Sequence, residues 1–267
     1  MDRIRVLTIN IWNRQGPWEE RLPLLRDGIR ALEPDLVGLQ EVLHMEGAGP
    51  DQAEDIAAGL GYHVLFGRAW SIWNTLDLGN ALLSRWPVVA TENWPLPVPE
   101  GADETRALLY ALVDAPFGKL PVFVTHLSWR FHEGAQRALQ VRAVDNRAAE
   151  AAPPASSLPA ILMGDFNAEP DSDEIRFLKG LTALGGRSTY WADSFGLVGE
   201  GAGHSWSRRN AYALAEREPS RRIDYVFCRG PDKKKRGEPL AARVVLDEEK
   251  DGVWPSDHFG VLAEISM

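Results

Sequence analysis

The sequence predicts an α/β fold in which two mixed β-sheets pack together with helices on the outside. Three observations carry this. Many short apolar, β-branched runs are separated by turn residues. Only a few segments show helical spacing. Strands and helices do not alternate strictly, as a doubly wound parallel sheet would require. The 267 residues are 45% apolar and 25% charged, an ordinary globular composition. No Pro/Ser/Gly linker separates two cores, so residues 1–267 are read as one domain, and no internal repeat is present.

The elements follow in order. "RIRVLTINIW" alternates and is read as a strand ending near Asn10. Leu22, Leu25, Ile29 and Leu32 recur at helical spacing, and Pro34 closes that helix. "DLVGLQE" is an apolar strand ending at Glu41. "DQAEDIAAGLGY" is a short helix stopped by Gly61. "HVLFG", "GNALLSR", "VVATENW", "TRALLYALVD" and "LPVFVTHL" are strands, and "SIWNTLDL" (71–78) is an aromatic loop. A helix is expected from Glu133 to Glu150, then the loop "AAPPASSLPA" (151–160). A strand at 159–163, a helix near 171–181, and strands at 222–228, 241–246 and 258–265 complete the chain.

Composition narrows the function. Net charge is −9, so no broad basic face for wrapping long nucleic acid is evident. The basic run "DKKKRGE" (232–238) is read as a solvated loop. The single cysteine, Cys228, allows no internal disulfide and is read as a buried thiol. A strand begins by Ile4, and no apolar run approaches the ~20 residues that span a bilayer. The expectation is a cytoplasmic monomer without a membrane anchor.

Five polar sites share one setting, an apolar strand followed by a carboxylate, amide or imidazole. They are Asn10, Glu41, His126, Asp165 with Asn167, and Asp257 with His258. Strand ends on one rim converge, and ligands bind there. Oxygen donors of this kind suit Mg²⁺, Mn²⁺ or Ca²⁺ rather than Zn²⁺. Glu41 suits a cation that takes one protein carboxylate and fills its other positions with water and phosphate. The histidines are candidates for phosphate contact or proton transfer.

"TINIW", "LQEV", "GNALLSR", "THLS", "GDFNAEP", "RRIDYVF" and "SDHFG", in that order from Thr8 to Gly260, resemble the endonuclease/exonuclease/phosphatase superfamily of DNase I-like phosphoesterases. The resemblance implies a four-layer α/β/β/α sandwich with its site on one rim. It implies a metal-dependent phosphodiesterase that hydrolyses a phosphoester by in-line attack of water on a metal-bound phosphate. The cofactor would be Mg²⁺ or Mn²⁺, one ion, with two as the alternative. The substrate would be nucleic acid or a small phosphodiester.

The resemblance also assigns roles. Glu41 binds the metal with Asn10 beside it, and Asp257 completes the acidic cluster or a second metal position. Either Asp165 or His258 is the base. Asn167 holds a phosphate oxygen, and Asp224 fixes the tautomer of His258. His126 stabilises the transition state, alone or with Asn80. Arg106 is read either as a bidentate phosphate ligand or as half of a strand-end salt bridge. Gly164 lets the chain turn closely, and Phe166 points into the core. Trp12, Trp129 and Trp254 are candidates for stacking at the cleft mouth. Asp193 and Ser194 are read as cap or turn residues. Three other functions stay open: a DNA-repair nuclease acting at abasic sites, a phospholipid or sphingolipid phosphodiesterase, and a non-catalytic phospho-ligand binder.

Overall fold

The computed structural model of the protein describes residues 2–45, 47, 49, 51–73, 75–102, 104–153 and 157–267. Its strands are β1 (Arg3–Asn10), β2 (Leu36–Met45), β3 (His63–Trp73), β4 (Leu76–Ser84), β5 (Val88–Pro95), β6 (Ala107–Ala115), β7 (Gly118–His126), β8 (Ile161–Asp165), β9 (Ala192–Asp193), β10 (Asp224–Cys228), β11 (Pro239–Val245) and β12 (Gly260–Ser266). Its helices are α1 (Trp18–Leu32), α2 (Gln52–Ala57), α3 (Gly134–Ala151), α4 (Asp173–Leu178), α5 (Ser194–Val198) and α6 (Ala211–Ala215). One six-stranded sheet runs β11-β12-β1-β2-β4-β3 and the other β5-β6-β7-β8-β10-β9. The pairs β1/β2 and β7/β8 are parallel and their other neighbours antiparallel, so both sheets are mixed.

Strand alternation produces the layers, because successive side chains point to opposite faces. Ile4 and Val6 meet Val124, Met163, Val226 and Ala263 between the sheets. Leu7 and Ile9 face the other way, onto Leu25 and Ile29 of α1 and Ile56 of α2. On the second sheet, Phe123, Leu162, Tyr225 and Phe227 pack outward against Val141 and Val144 of α3 and Ile175 and Phe177 of α4. The result is the expected helix–sheet–sheet–helix sandwich.

The same alternation builds the rim. The row Ile4, Val6, Thr8, Asn10 faces the second sheet and turns polar over its last two members. Ile161, Met163, Asp165 turns polar at its last member, as does Val122, Val124, His126. Register then sets the acids and His126 side by side. His126 lies opposite Asp165 across the parallel pair, and Asp165 lies opposite Asp224 across the antiparallel one.

Several boundaries differ from the sequence reading. β8 continues through Gly164 to Asp165. Gly164 has φ 148°, and a Cβ there would lie 1.9 Å from the Thr125 carbonyl oxygen, so neither the space nor the backbone admits a side chain. Gly164→Ala is expected to cost on the order of 2–5 kcal/mol, overpacking and strain together. A melting curve within a degree or two of wild type would contradict this.

The helix read at 51–62 is only α2, and that near 171–181 only α4; α5, α6 and β9 were not anticipated. The stretch read as a loop at 71–78 belongs instead to the paired strands β3 and β4, although Asn74 lies outside the described residues. Register shifts between Arg68 and Trp70 and between Ser71 and Trp73 obscure its alternation, which is why the sequence pattern missed it. Of the loop expected at 151–160, residues 154–156 lie outside the described residues.

Candidate active site

A cleft of about 240 Å³ opens on the rim where the two sheets meet. Asn10, Glu41, His126, Asp165, Asn167, Asp257 and His258 all line it. Asp224 is fully buried behind His258. These residues come from the ends of β1, β7, β8 and β10, from the segments that follow β8 and enter β12, and from the middle of β2, which runs on to Met45 instead of ending at Glu41 as the sequence reading expects.

Asp165 is the hub. Its Oδ2 accepts from Asn10 Nδ2 at 3.2 Å and lies 3.5 Å from His126 Nε2 and 3.8 Å from His258 Nε2. Its Oδ1 accepts the Asn167 backbone N–H at 2.9 Å, an Asx turn that holds Asn167 at φ 49°. Phe166 between them is fully buried against Tyr225 and Phe227, as expected. Burial, reinforced by the neighbouring Asp224 carboxylate, raises the Asp165 pKa to about 7 against the opposing pull of His258.

The two histidines are electrostatic opposites. His258 Nδ1 is 2.8 Å from Asp224 Oδ2, and its Nε2 faces Asp165. Burial disfavours its charge, but Asp224, Asp165 and Asp257 overcome this and raise its pKa to about 10. The Ser205 hydroxyl accepts the backbone N–H groups of Ile223 and Asp224 and fixes the start of β10. His126 instead meets nitrogen donors on both sides, Arg106 Nη1 at 3.4 Å from Nδ1 and Asn167 Nδ2 at 3.1 Å from Nε2. Burial first, then the charges of Arg106 and His258, lower its pKa well below the usual imidazole value. His126 is held neutral, and His258 is held as imidazolium.

Glu41 reaches the cleft through a backbone irregularity. Between Leu39 and Val42, β2 carries one extra residue relative to β4, and Glu41 adopts φ 59°. A bulge of this kind re-aims a side chain beside a site, and a left-handed non-glycine residue costs on the order of 1–3 kcal/mol. Asn10 Nδ2 donates to Glu41 Oε1 at 3.1 Å and Asn13 Nδ2 to Oε2 at 2.9 Å. Asp257 shares the neighbourhood; burial, with some repulsion from Glu41, raises its pKa to about 7. Two carboxylates and amide oxygens on the cleft wall form a donor set that fits a hard divalent cation. A second group, Asp165, Asp224 and His258, has ligand atoms all within 4.8 Å of one another and could also hold a metal ion. There, however, Nδ1 of the imidazolium is already spent on Asp224, and a protonated ring offers no lone pair to a metal.

Two expected residues lie off the cleft. Asn80 is buried and donates to the Ala107 carbonyl at 3.1 Å, so it does not accompany His126. Arg106 pairs with Glu104 at 3.2 Å, the salt-bridge reading, and its fork faces the back of His126 rather than open cleft. Among the tryptophans, Trp12 and Trp129 line the cleft, but Trp254 packs on Phe259 outside it, and Trp206 takes a place beside His258. Asp193 caps α5 and grips Arg222 through both oxygens. In the basic run 232–238, Lys233, Lys234 and Lys235 are exposed and Arg236 is half-buried, and Cys228 is buried. Asn13, Ser205 and Trp206 escaped the sequence reading because single polar or aromatic residues in loops carry no periodic signal.

The model of the endonuclease/exonuclease/phosphatase family matches residues 7–258. The chain belongs to this family. Membership places it among phosphoesterase- and nuclease-type hydrolases, which generally use divalent metals. A family member from Beutenbergia cavernae DSM 12333 superposes with TM-score 0.74 at 26% identity, covering all of this chain and 72% of that one. D. rerio TDP2, solved in complex with a single-strand DNA product, shares the fold over 100% of both chains, with TM-score 0.79 and 20% identity. The uncharacterized protein YbhP of Escherichia coli (strain K12) is 34% identical over 176 residues, covering 61% of this chain. That match spans 66% of YbhP, just under two thirds of its length. No helix among the described residues of this family member is long and apolar enough to cross a membrane.

Proposed function

We propose that the protein is a Mg²⁺- or Mn²⁺-dependent phosphodiesterase. The observation that carries this reading is geometric: Asp165 lies 3.8 Å from His258, which Asp224 holds at 2.8 Å, in one cleft with Glu41. Glu41, with Asn10 beside it and Asp257 opposite, would hold the cation. When bound, that cation neutralises phosphate charge and stabilises the leaving oxygen.

Asp165 is the base. A group with a pKa of about 7 is poised to accept a proton from water at neutral pH, whereas an imidazolium has no site to accept one. His258 carries a positive charge to the phosphate, and Asp224 holds its ring in place. Neutral His126 and the Asn167 amide form the polar wall for a non-bridging oxygen. The acidic cleft residues Glu216 and Glu218, with the net charge of −9, favour a compact phosphodiester over long duplex DNA.

Hydrolysis of bis-p-nitrophenyl phosphate should appear with Mg²⁺ or Mn²⁺ and vanish in EDTA. Activity that persists in EDTA would overturn the metal-dependent reading, and no turnover with either metal would favour a ligand-binding protein. Nicking of plasmid or cleavage of abasic oligonucleotides faster than small diesters would favour the DNA-repair alternative.

A further inference from the structure

Arg21 sits on α1, outside every motif, and is fully buried. A guanidinium presents five N–H donors in a rigid fork. Here all five end on backbone carbonyls. Nε donates to Gln15 at 3.1 Å, and Nη1 to Ile11 at 2.9 Å and Pro255 at 3.0 Å. Nη2 donates to Trp12 at 3.3 Å and Asn13 at 2.8 Å. The Trp12 and Trp18 rings lie 5.1 and 5.2 Å from the guanidinium carbon. No N–H is left for a carboxylate, so every hydrogen bond of the guanidinium goes to a peptide dipole. The Asp257 and Glu41 carboxylates act on its charge through space.

Those carbonyls belong to two segments. Residues 11–15 carry Asn13, which donates to Glu41 Oε2. Pro255 precedes Ser256, whose hydroxyl donates to the Asn10 carbonyl at 2.7 Å and contacts Asp257 Oδ1 at 3.1 Å. The two sides of the acidic wall therefore meet on one guanidinium.

We propose that Arg21 is a positioning residue for the divalent cation, clamping the Asn13 loop to the Asp257 loop so that Glu41 and Asp257 face one point before the cation arrives. The inference rests on the reading that Glu41 and Asp257 hold that cation. Positioning and charge make opposite predictions. A buried positive charge by itself repels a divalent cation, so a neutral replacement would tighten binding if charge were all that mattered. A clamp predicts that neutral and charged replacements both weaken binding, because lysine places its three donors on one atom and cannot span five carbonyls.

The test is Mn²⁺ binding to the full chain, read by electron paramagnetic resonance below the melting transition of every variant. Arg21→Lys and Arg21→Gln should each weaken Mn²⁺ binding about 10–100-fold, the usual scale for residues that orient ligands. Arg229→Gln is the structural control. Arg229 pairs with Asp145 beyond the end of β10 remote from Asp224, so its loss should lower the melting temperature and leave Mn²⁺ affinity unchanged. Asn13→Ala probes the clamp from its other end and should weaken Mn²⁺ even if the Arg21 variants fail to fold. Wild-type or tighter affinity in Arg21→Gln, full affinity in Arg21→Lys, or unchanged affinity in Asn13→Ala would each overturn the proposal. Glu41→Gln separates the two readings: if it binds Mn²⁺ as tightly as wild type, the cation site itself is misplaced and the clamp falls with it.

Discussion

Asp224→Asn should lower kcat on an activated phosphodiester by about 10²–10⁴-fold at saturating Mg²⁺, with the fold intact. The Asp224 carboxylate is fully buried and 2.8 Å from His258 Nδ1. An amide at that position supplies no negative charge, and through its N–H face it would disfavour the Nδ1–H state. The imidazolium would then lose its main support while its packing against Trp206 stayed in place. The loss should fall mainly on kcat, because orientation and charge matter most as charge develops in the transition state. His258→Ala should cost a similar factor. In the double variant the second change should add no more than ~3-fold, since the two residues act as one unit. His126→Ala combined with Asp224→Asn should be closer to additive, because His126 leans on Arg106 and Asn167 instead. Full additivity between Asp224 and His258 would dissolve the pair.

Glu41→Gln should reduce turnover by about 10³-fold or more and raise the metal concentration needed for half activity, a loss of the several kcal/mol that metal-assisted charge stabilisation supplies. The substitution keeps the shape and the acceptor oxygen that meets Asn10, removes the charge, and turns the group that faces Asn13 from acceptor to donor. Activity at each Mg²⁺ concentration, with circular dichroism to confirm folding, makes the measurement. Equal metal dependence in wild type and variant would move the cation site away from Glu41.

Much of this site is legible in the chain. Asn10, His126 and Asp165 each end an apolar strand, and the period-two alternation that hides Val6, Val124 and Met163 between the sheets carries these polar residues to the rim. Those positions could be read without a structure because burial and periodicity are local. Glu41 was found for an incomplete reason. Counted by strict alternation from Leu39 it belongs on the helix-facing side, and only the bulge at φ 59° turns it into the cleft. A one-residue register shift leaves no mark in composition or spacing.

Local pattern in the chain specifies the sandwich, the family motifs and the ends of the strands that carry most of the site. The resemblance already implied Asp224 as the partner of His258, and the other contacts came only with packing. Packing set Arg106 on His126, so that one ring is charged and the other neutral. It also took Asn80 off the cleft, brought Asn13 to it and set Arg21 behind the Asn13 loop. Hydrophobic pattern is a property of neighbours along the chain, whereas a proton's position depends on charges that meet across long separations in sequence, and only packing brings those together.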